Sequence, residues 1–455
     1  VTDLGPLLRP SSVAVIGAST NPDVISGLPQ RILAQHGYTG AVYPVNPRYT
    51  EIDGLPCCPD IGSVPGPVDV ALVVVNADRV ATVVDQCGRA DVRFVVIISS
   101  GFAEQYDGGA RDARLREVCA RYPAMRVLGP NAEGLINVVD AIPLSFSPTT
   151  NYRRGLRRLL AGDVAVVAQS GGLGFALFND GLGRGLGFSH VISTGNEMDL
   201  DVADIAEYLL DDASTRVLLL FVEGLDRPER LGALADRAAT LGKRVVVAKP
   251  GRSAEGSRAA LAHTAHHTGD DAWYAELFVR HGIVRATDQE HMVDVALALS
   301  RTAKPAGRRI GIVTTSGGVG TWLADDVVAA GLTLPVLGPA PQTRLRELMP
   351  AYGSPANPVD ATAQVLGRGG IAPVLRMVAD SGEVDVIVWI ATLADARQLA
   401  REREQLASVA GDIPLVLYSY TRPAQESIDM LTELGIAYFT SGRRTAAALT
   451  ALVPG

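Results

Sequence analysis

Short apolar runs alternate with helix-length segments along the whole chain, and this alternation limits the fold more than any other feature. Such runs, too short for helices and bounded by turn residues, mark βαβ units built on buried parallel sheets. Ser12–Gly17 (SVAVIG), Ala41–Asn46 (AVYPVN), Val68–Val75 (VDVALVVV), Arg93–Ser100 (RFVVIISS) and Arg126–Pro130 read as the strands of a first doubly wound domain, residues 1–145. Ser145–Gly162, with SPTT and RRGLRR, is polar and basic and reads as a linker. A second series follows over 146–302: Asp163–Val167, Phe188–Ser193, Arg216–Val222, Arg244–Lys249 and Ile283–Ala286. Ala303–Arg309 reads as a connector. The third series, over 303–455, is Ile310–Thr314, Val384–Ile390, Ile413–Tyr418 and Ile436–Phe439.

An internal repeat supports this division. Val164–Gly174 is VAVVAQSGGLG and Ile310–Gly320 is IGIVTTSGGVG. Each is a strand, then Ser-Gly-Gly, then an aliphatic residue and a glycine opening a helix. The second and third domains therefore read as two related flavodoxin-like units in tandem.

The bulk numbers exclude several classes. A chain of 455 residues with 47% hydrophobic residues can fill several cores. A formal net charge of -8 gives nucleic acid no attraction. No run approaches the ~18 apolar residues of a membrane span, and the N-terminus lacks a charged-then-apolar signal pattern. Cys57, Cys58, Cys87 and Cys119 have no metal-ligand spacing and read as reduced thiols, so a cytoplasmic protein with no metal site is expected.

Candidate site residues fall at the carboxyl ends of strands, where ligands of open α/β sheets collect. Gly17 ends the first strand, followed by Ala18 and Ser19; a glycine there lets the backbone turn tightly beside a phosphate. There is no full G-x-G-x-x-G, and the second strand leads to Asn46-Pro47-Arg48 rather than to an acidic residue. Arg48 suits a phosphorylated ribose, as in NADP or the 3′-phosphate of CoA. Ser99-Ser100-Gly101 and Gly129-Pro130-Asn131 could hold a pyrophosphate or an amide. Ser170-Gly171-Gly172 is half a phosphate cradle without the lysine of a P-loop, able to hold one phosphoryl group on helix N-terminal amides. The segment Lys249–Asp271 is polar, Gly-rich and contains His263, His266 and His267. His263 and His267 have i,i+4 spacing, but no glutamate between them as in H-E-x-x-H, and a solvated cluster is the plainer alternative.

This last segment, RSAEGSRAALAHTAHHTGDDAWYAELFVRHGIVR, resembles the phosphohistidine loop of the NDP-forming (ADP-forming) acyl-CoA synthetases, relatives of succinyl-CoA synthetase. SVAVIGAS, YPVNP, GLPC, ISSGFAE and GPN are similar to that family's CoA-binding domain. AQSGGLG, TGNEMDLDVAD and FVEG are similar to its second domain, and IVTTSGGVG and NPVDAT to its third. The resemblance implies an α/β fold: an N-terminal Rossmann-like CoA-binding domain, then two flavodoxin-like, succinyl-CoA synthetase-like domains.

The resemblance further implies that His263 is the phosphorylated nucleophile and that Glu223 hydrogen-bonds its imidazole. A carboxylate on one ring nitrogen fixes the tautomer and frees the other nitrogen; a capping or salt-bridging role is the plainer alternative for Glu223. Gly17, Ala18, Ser19, Arg48, Ser99, Ser100 and Gly101 would line the CoA site, with Asn131 near the thioester. The amides of Ser170, Gly171 and Gly172 would receive the phosphoryl group. The implied reaction is acid + CoA + ATP ⇌ acyl-CoA + ADP + phosphate. ATP/ADP and Mg would be bound by an ATP-grasp module, in a separate β subunit or a C-terminal extension, and an oligomer is expected. The sequence departs from the family at Ala262 and Ala265, where Ser and Gly are usual, and at His266 and His267. It departs again at Ala132 and Glu133, where Cys or Thr and an apolar residue are common. Two other readings stay open: a CoA-binding regulatory protein without turnover, and an NADP-dependent oxidoreductase.

Overall fold

The computed structural model describes residues 2–263 and 269–453, apart from the side chains of 260–263. The chain forms two compact units, Val1–Gly183 with Gly187–Thr287, and Arg184–Leu186 with Asp288–Gly455.

The first unit holds two large sheets. Strands β1 (Ser12–Ile16), β2 (Ala41–Val45), β3 (Val70–Val73), β4 (Phe94–Ile97) and β5 (Arg126–Leu128) form an all-parallel sheet in the order β2-β1-β3-β4-β5. β1, β3 and β4 are fully buried, which is why the sequence shows them as unbroken apolar runs rather than alternation.

The second sheet contains β6 (Gly134–Asn137), β7 (Ile142–Ser145), β8 (Ala161–Ala168), β9 (Phe188–Ser193), β10 (Val217–Phe221), β11 (Arg244–Ala248) and β12 (Val284–Ala286), in the order β12-β11-β10-β8-β9-β6-β7. The β6–β7 hairpin was not evident from the sequence. Residues 134–145, read there as the tail of the first domain, form a hairpin whose β6 pairs antiparallel onto β9, with Ile136 opposite Val191. Both strands are four residues long, and β7 carries Pro143, which is tolerated where the strand lies at the sheet edge. The stretch read as a linker contains a short 3-10 turn, Pro148–Thr150, and its last residues already belong to β8.

One apolar core joins the two sheets: Val13, Leu72 and Val96 share it with Val167, Leu218 and Val247. The helix Val202–Asp211 contributes Ile205 and Leu209, placed by helical spacing on one face. Asp201 and Asp204 close a capping box at its start, and Arg230 bonds both carboxylates at 2.8 Å. Each fully buried Leu or Val stabilises the fold by about 1.5–3 kcal/mol.

In the second unit β13 (Ile310–Thr314), β14 (Val359–Asp360), β15 (Val386–Ala391), β16 (Leu415–Ser419) and β17 (Ala437–Phe439) form a parallel sheet, β14-β13-β15-β16-β17. The two-residue β14 leaves too short an apolar run to be legible. Trp389, Leu417 and Tyr438 anchor the core on one face. On the helix Gln289–Arg301, the fully buried Asp294 lies between Arg184, at 2.5 Å, and Arg444, at 2.6 Å.

Among the described residues no helix is long and apolar enough to cross a membrane.

Candidate active site

Parallel strands deliver their carboxyl ends to one edge of a sheet, and both sheets of the first unit use that edge. After β1, Gly17 has φ +97, and a Cβ there would lie 2.4 Å from the Val74 carbonyl oxygen, so only glycine fits. The Asn46 amide donates to the Ala18 carbonyl at 2.8 Å and ties the turn after β2 to the turn after β1. Arg48 stands exposed beside them, its N–H held by the Asn46 side chain at 3.1 Å. The hydroxyls of Thr20 and Ser19 donate to the Tyr49 oxygen and hold its phenol below the usual tyrosine range.

A cavity of about 320 Å³ lies where the two sheets' edges meet. From the first sheet come Ile98, Ser100, Asn131 and Ala132; from the second come Gln169, Ser170, Gly171, Gly172 and Glu223. The backbone of Asn131 is pinned to the Ser99 carbonyl at 3.0 Å, and Asn131 has φ +60. Its amide donates to the Asn196 side-chain oxygen at 3.3 Å. Asn196 also donates to Glu104, whose carboxylate accepts the N–H groups of Gly101 and Phe102. Burial pushes the Glu104 carboxyl up, but these hydrogen bonds outweigh it and hold the group below the usual carboxylate range.

Ser170 precedes the helix Gly171–Gly183, whose first N–H groups have no acceptor within the helix, and Ser170, Gly171 and Gly172 line the cavity. Gly171 packs against Glu133: a Cβ on it would lie 2.7 Å from the Glu133 Cβ. Gly172 is open. Glu223 follows β10 and is 8% exposed. Its N–H donates to the Gln169 side-chain oxygen at 2.6 Å, and the Gln169 amide donates onward to the Gly224 carbonyl at 2.6 Å and to Glu197 at 2.7 Å. At the end of β11, Lys249 is 4% exposed, donates to the Pro250 carbonyl at 2.9 Å and sits 5.0 Å from the Tyr274 ring centre. Burial pulls its ammonium down to about 8. Pro250 and Tyr274 flank the segment that carries the clustered histidines.

Three family models match the chain in order: a CoA binding domain over residues 11–137, a succinyl-CoA ligase like flavodoxin domain over 161–299, and a Ligase-CoA domain over 310–372. The α subunit of acetate–CoA ligase [ADP-forming] I from Pyrococcus furiosus is 33% identical, covering 98% of this chain and 96% of that one. The chain belongs to the ADP-forming acid–CoA ligase family. The Archaeoglobus fulgidus acetate–CoA ligase [ADP-forming] I is 34% identical over 98% of this chain, which spans 63% of that longer relative. Among solved structures, the dinucleotide forming acetyl-coenzyme A synthetase 1 of Ca. Korarchaeum cryptofilum, in complex with phosphate and ADP, superposes with a TM-score of 0.86 at 31% identity, covering 99% of this chain and 96% of that one.

Of the residues singled out in the ligase sequence, the fold brings Ser100, Asn131, Ser170, Gly171, Gly172 and Glu223 into one cavity. Gly17, Ala18, Ser19 and Arg48 form a separate group at the ends of β1 and β2. Ser99 spends its hydroxyl on the Val75 carbonyl, at 2.6 Å, and Gly101 gives its N–H to Glu104. The His263 backbone closes the helix Ala254–His263; its side chain, with His266 and His267, lies outside the described residues. The sequence reading passed over Gln169, Asn196, Glu104 and Phe146. Gln169, directly before Ser-Gly-Gly, was the one with a positional signal. The others come from loops far apart in the chain, and the separation of 92 positions between Glu104 and Asn196 leaves no spacing to read. Glu133 was noticed only as an unusual residue after Gly-Pro-Asn.

Proposed function

We propose that the chain is the CoA-binding, phosphoryl-relaying part of an acyl-CoA synthetase that converts a carboxylic acid, CoA and ATP into acyl-CoA, ADP and phosphate. The observation that supports this most is the single cavity in which Asn131 from one sheet meets the Ser170–Gly172 turn and Glu223 from the other. The turn after β1 with Ala18 and Ser19, Arg48 and Ser100 would carry CoA along the first sheet's edge toward Asn131. Ser99 and Gly101 would shape that edge through their backbone bonds. His263 would take the phosphoryl group, with Glu223 orienting its imidazole and the amides of Ser170, Gly171 and Gly172 facing the phosphoryl oxygens. From there the phosphoryl group would pass to the acid carboxylate. CoA thiolate would then attack the acyl phosphate carbon and expel phosphate, so the atoms balance over the cycle. A relay of this kind keeps water-sensitive steps in fixed geometry.

ATP and Mg would be held by an ATP-grasp module, a separate β subunit or a fused domain; two relatives are named α subunits. The division into 1–145, 146–302 and 303–455 then corresponds to CoA binding, phosphoryl transfer and a second flavodoxin-like unit.

The reverse half-reaction tests this on the chain alone. Acyl-CoA and phosphate should place an acid-labile, base-stable phosphate on His263, read by mass spectrometry at neutral pH. His263→Asn should abolish the mark, Glu223→Gln should slow it at least tenfold, and His266→Ala and His267→Ala should leave it. A mark that survives His263→Asn overturns the assignment.

A further inference from the structure

We propose that Glu133 selects the acid: the cavity takes a monocarboxylic acid whose acyl chain bears a hydrogen-bond donor such as a hydroxyl, and turns away a second carboxylate. This rests on the acyl-CoA synthetase reading and names the substrate class of the same site.

Glu133 lines the cavity beside Asn131 and the Ser170–Gly172 turn. Its backbone is fixed on both sides: the N–H donates to the Ser193 hydroxyl at 3.1 Å, and the carbonyl accepts the Ser145 hydroxyl at 2.7 Å. The side chain is wedged against Gly171 and accepts a hydrogen bond from Ser147. The carboxyl group is therefore a fixed part of the wall. Burial raises the Glu133 carboxyl above the ordinary carboxylate range, and the hydrogen bond from the Ser147 hydroxyl offsets only part of that.

Glu133 and Glu223 both line the cavity, while no Lys, Arg or His does among the described residues. The helix N-terminus at Gly171 offsets one negative group, the reacting carboxyl or its phosphate. A second carboxylate would face the like charge of Glu133. Ile25, Ile98 and Phe146 add an apolar patch to a wall that also carries Ser100, Gln169 and Asn196, and that patch suits a carbon chain. An unsubstituted chain would cover the Glu133 carboxylate without replacing its water, whereas a hydroxyl would supply the lost hydrogen bond.

Calorimetry at pH 8 with the full chain tests the assignment, using free CoA and three thioesters of equal chain length: acyl-CoA, ω-hydroxyacyl-CoA and ω-carboxyacyl-CoA. The hydroxyacyl form should bind at least fivefold more tightly than the acyl form, and the carboxyacyl form at least tenfold more weakly. Glu133→Leu should erase both differences. Glu133→Gln, close in shape and uncharged, should keep the hydroxyl preference and lose the rejection. Unchanged discrimination in Glu133→Leu, or none in the native chain, overturns the role of Glu133 while CoA still binds. If free CoA does not bind the native chain, the synthetase reading falls and this one with it. Free-CoA affinity and the melting temperature of each variant report its folding.

Discussion

The side-chain oxygen of Gln169 accepts the backbone N–H of Glu223 at 2.6 Å and that of Gly224 at 3.2 Å. Gln169 immediately precedes the Ser-Gly-Gly turn, so one amide locks that turn after β8 to Glu223 after β10. All four polar valences of that amide are engaged, since its nitrogen donates to the Gly224 carbonyl and to Glu197.

Gln169→Ala should strand two buried N–H groups. The expected destabilisation is about 2–3 kcal/mol, in the range for unsatisfied buried donors. Phosphorylation from acyl-CoA and phosphate should slow at least tenfold, because Glu223 loses its anchor. A thermal melt and the phosphohistidine assay check the two effects separately. A variant that melts lower and phosphorylates at the native rate would remove Gln169 from the site.

Both repeats set the first glycine of Ser-Gly-Gly against a carboxylate and leave the second open. A Cβ on Gly171 would lie 2.7 Å from Glu133, and one on Gly317 would lie 2.6 Å from the Asp360 carboxylate, while Gly172 and Gly318 have nothing within 4 Å. Gly171→Ala and Gly317→Ala should therefore lower the melting temperature. Gly172→Ala and Gly318→Ala should hold it or raise it, since alanine is favoured over glycine in a helix by roughly 1 kcal/mol. Melting the four variants decides it; equal effects at both positions would contradict the packing described.

The strands were legible because burial on both faces turns them into unbroken apolar runs, as in Val70–Val73 and Leu218–Leu220. The β6–β7 hairpin was not, because two four-residue strands, one with Pro143, look like any loop. The same division holds at the site. Ser170–Gly172, Asn131 and Glu223 carry local signals at strand ends. Gln169, Asn196 and Glu104 act through partners dozens of residues away, and only the packing of one sheet edge against the other brings them together.

In the second unit, Asp294 is fully buried between Arg184 and Arg444. Removing its charge leaves two guanidinium groups without their shared partner, a loss of about 3–5 kcal/mol for a buried pair. Asp294→Asn should lower the melting transition of this unit. Calorimetry that resolves the transitions checks it; an unaltered thermogram would mean that solvent screens the arginines fully.

The last expectation concerns pH. Glu197 accepts hydrogen bonds from Thr194 and Val202 at 2.8 Å and from Gln169 at 2.7 Å, yet burial dominates and raises its carboxyl from 4.5 to about 8. The folded chain thus keeps a proton that the unfolded chain has released between those two values. Stability must then fall as pH rises across that window, at about 1.4 kcal/mol per pH unit for one proton, and level off above it. Below about 4.5 both states hold the proton and the group contributes no slope. Glu197→Gln cannot ionise and removes this contribution, although its amide meets the Gln169 amide and lowers stability at every pH. The informative quantity is therefore the difference in melting temperature between native and variant chains, followed from pH 5.5 to 8. That difference should shrink steadily with rising pH, because only the native chain pays the cost of ionising Glu197 in place. A difference independent of pH would place the Glu197 titration near its ordinary value and assign the carboxylate to the hydrogen bonds alone.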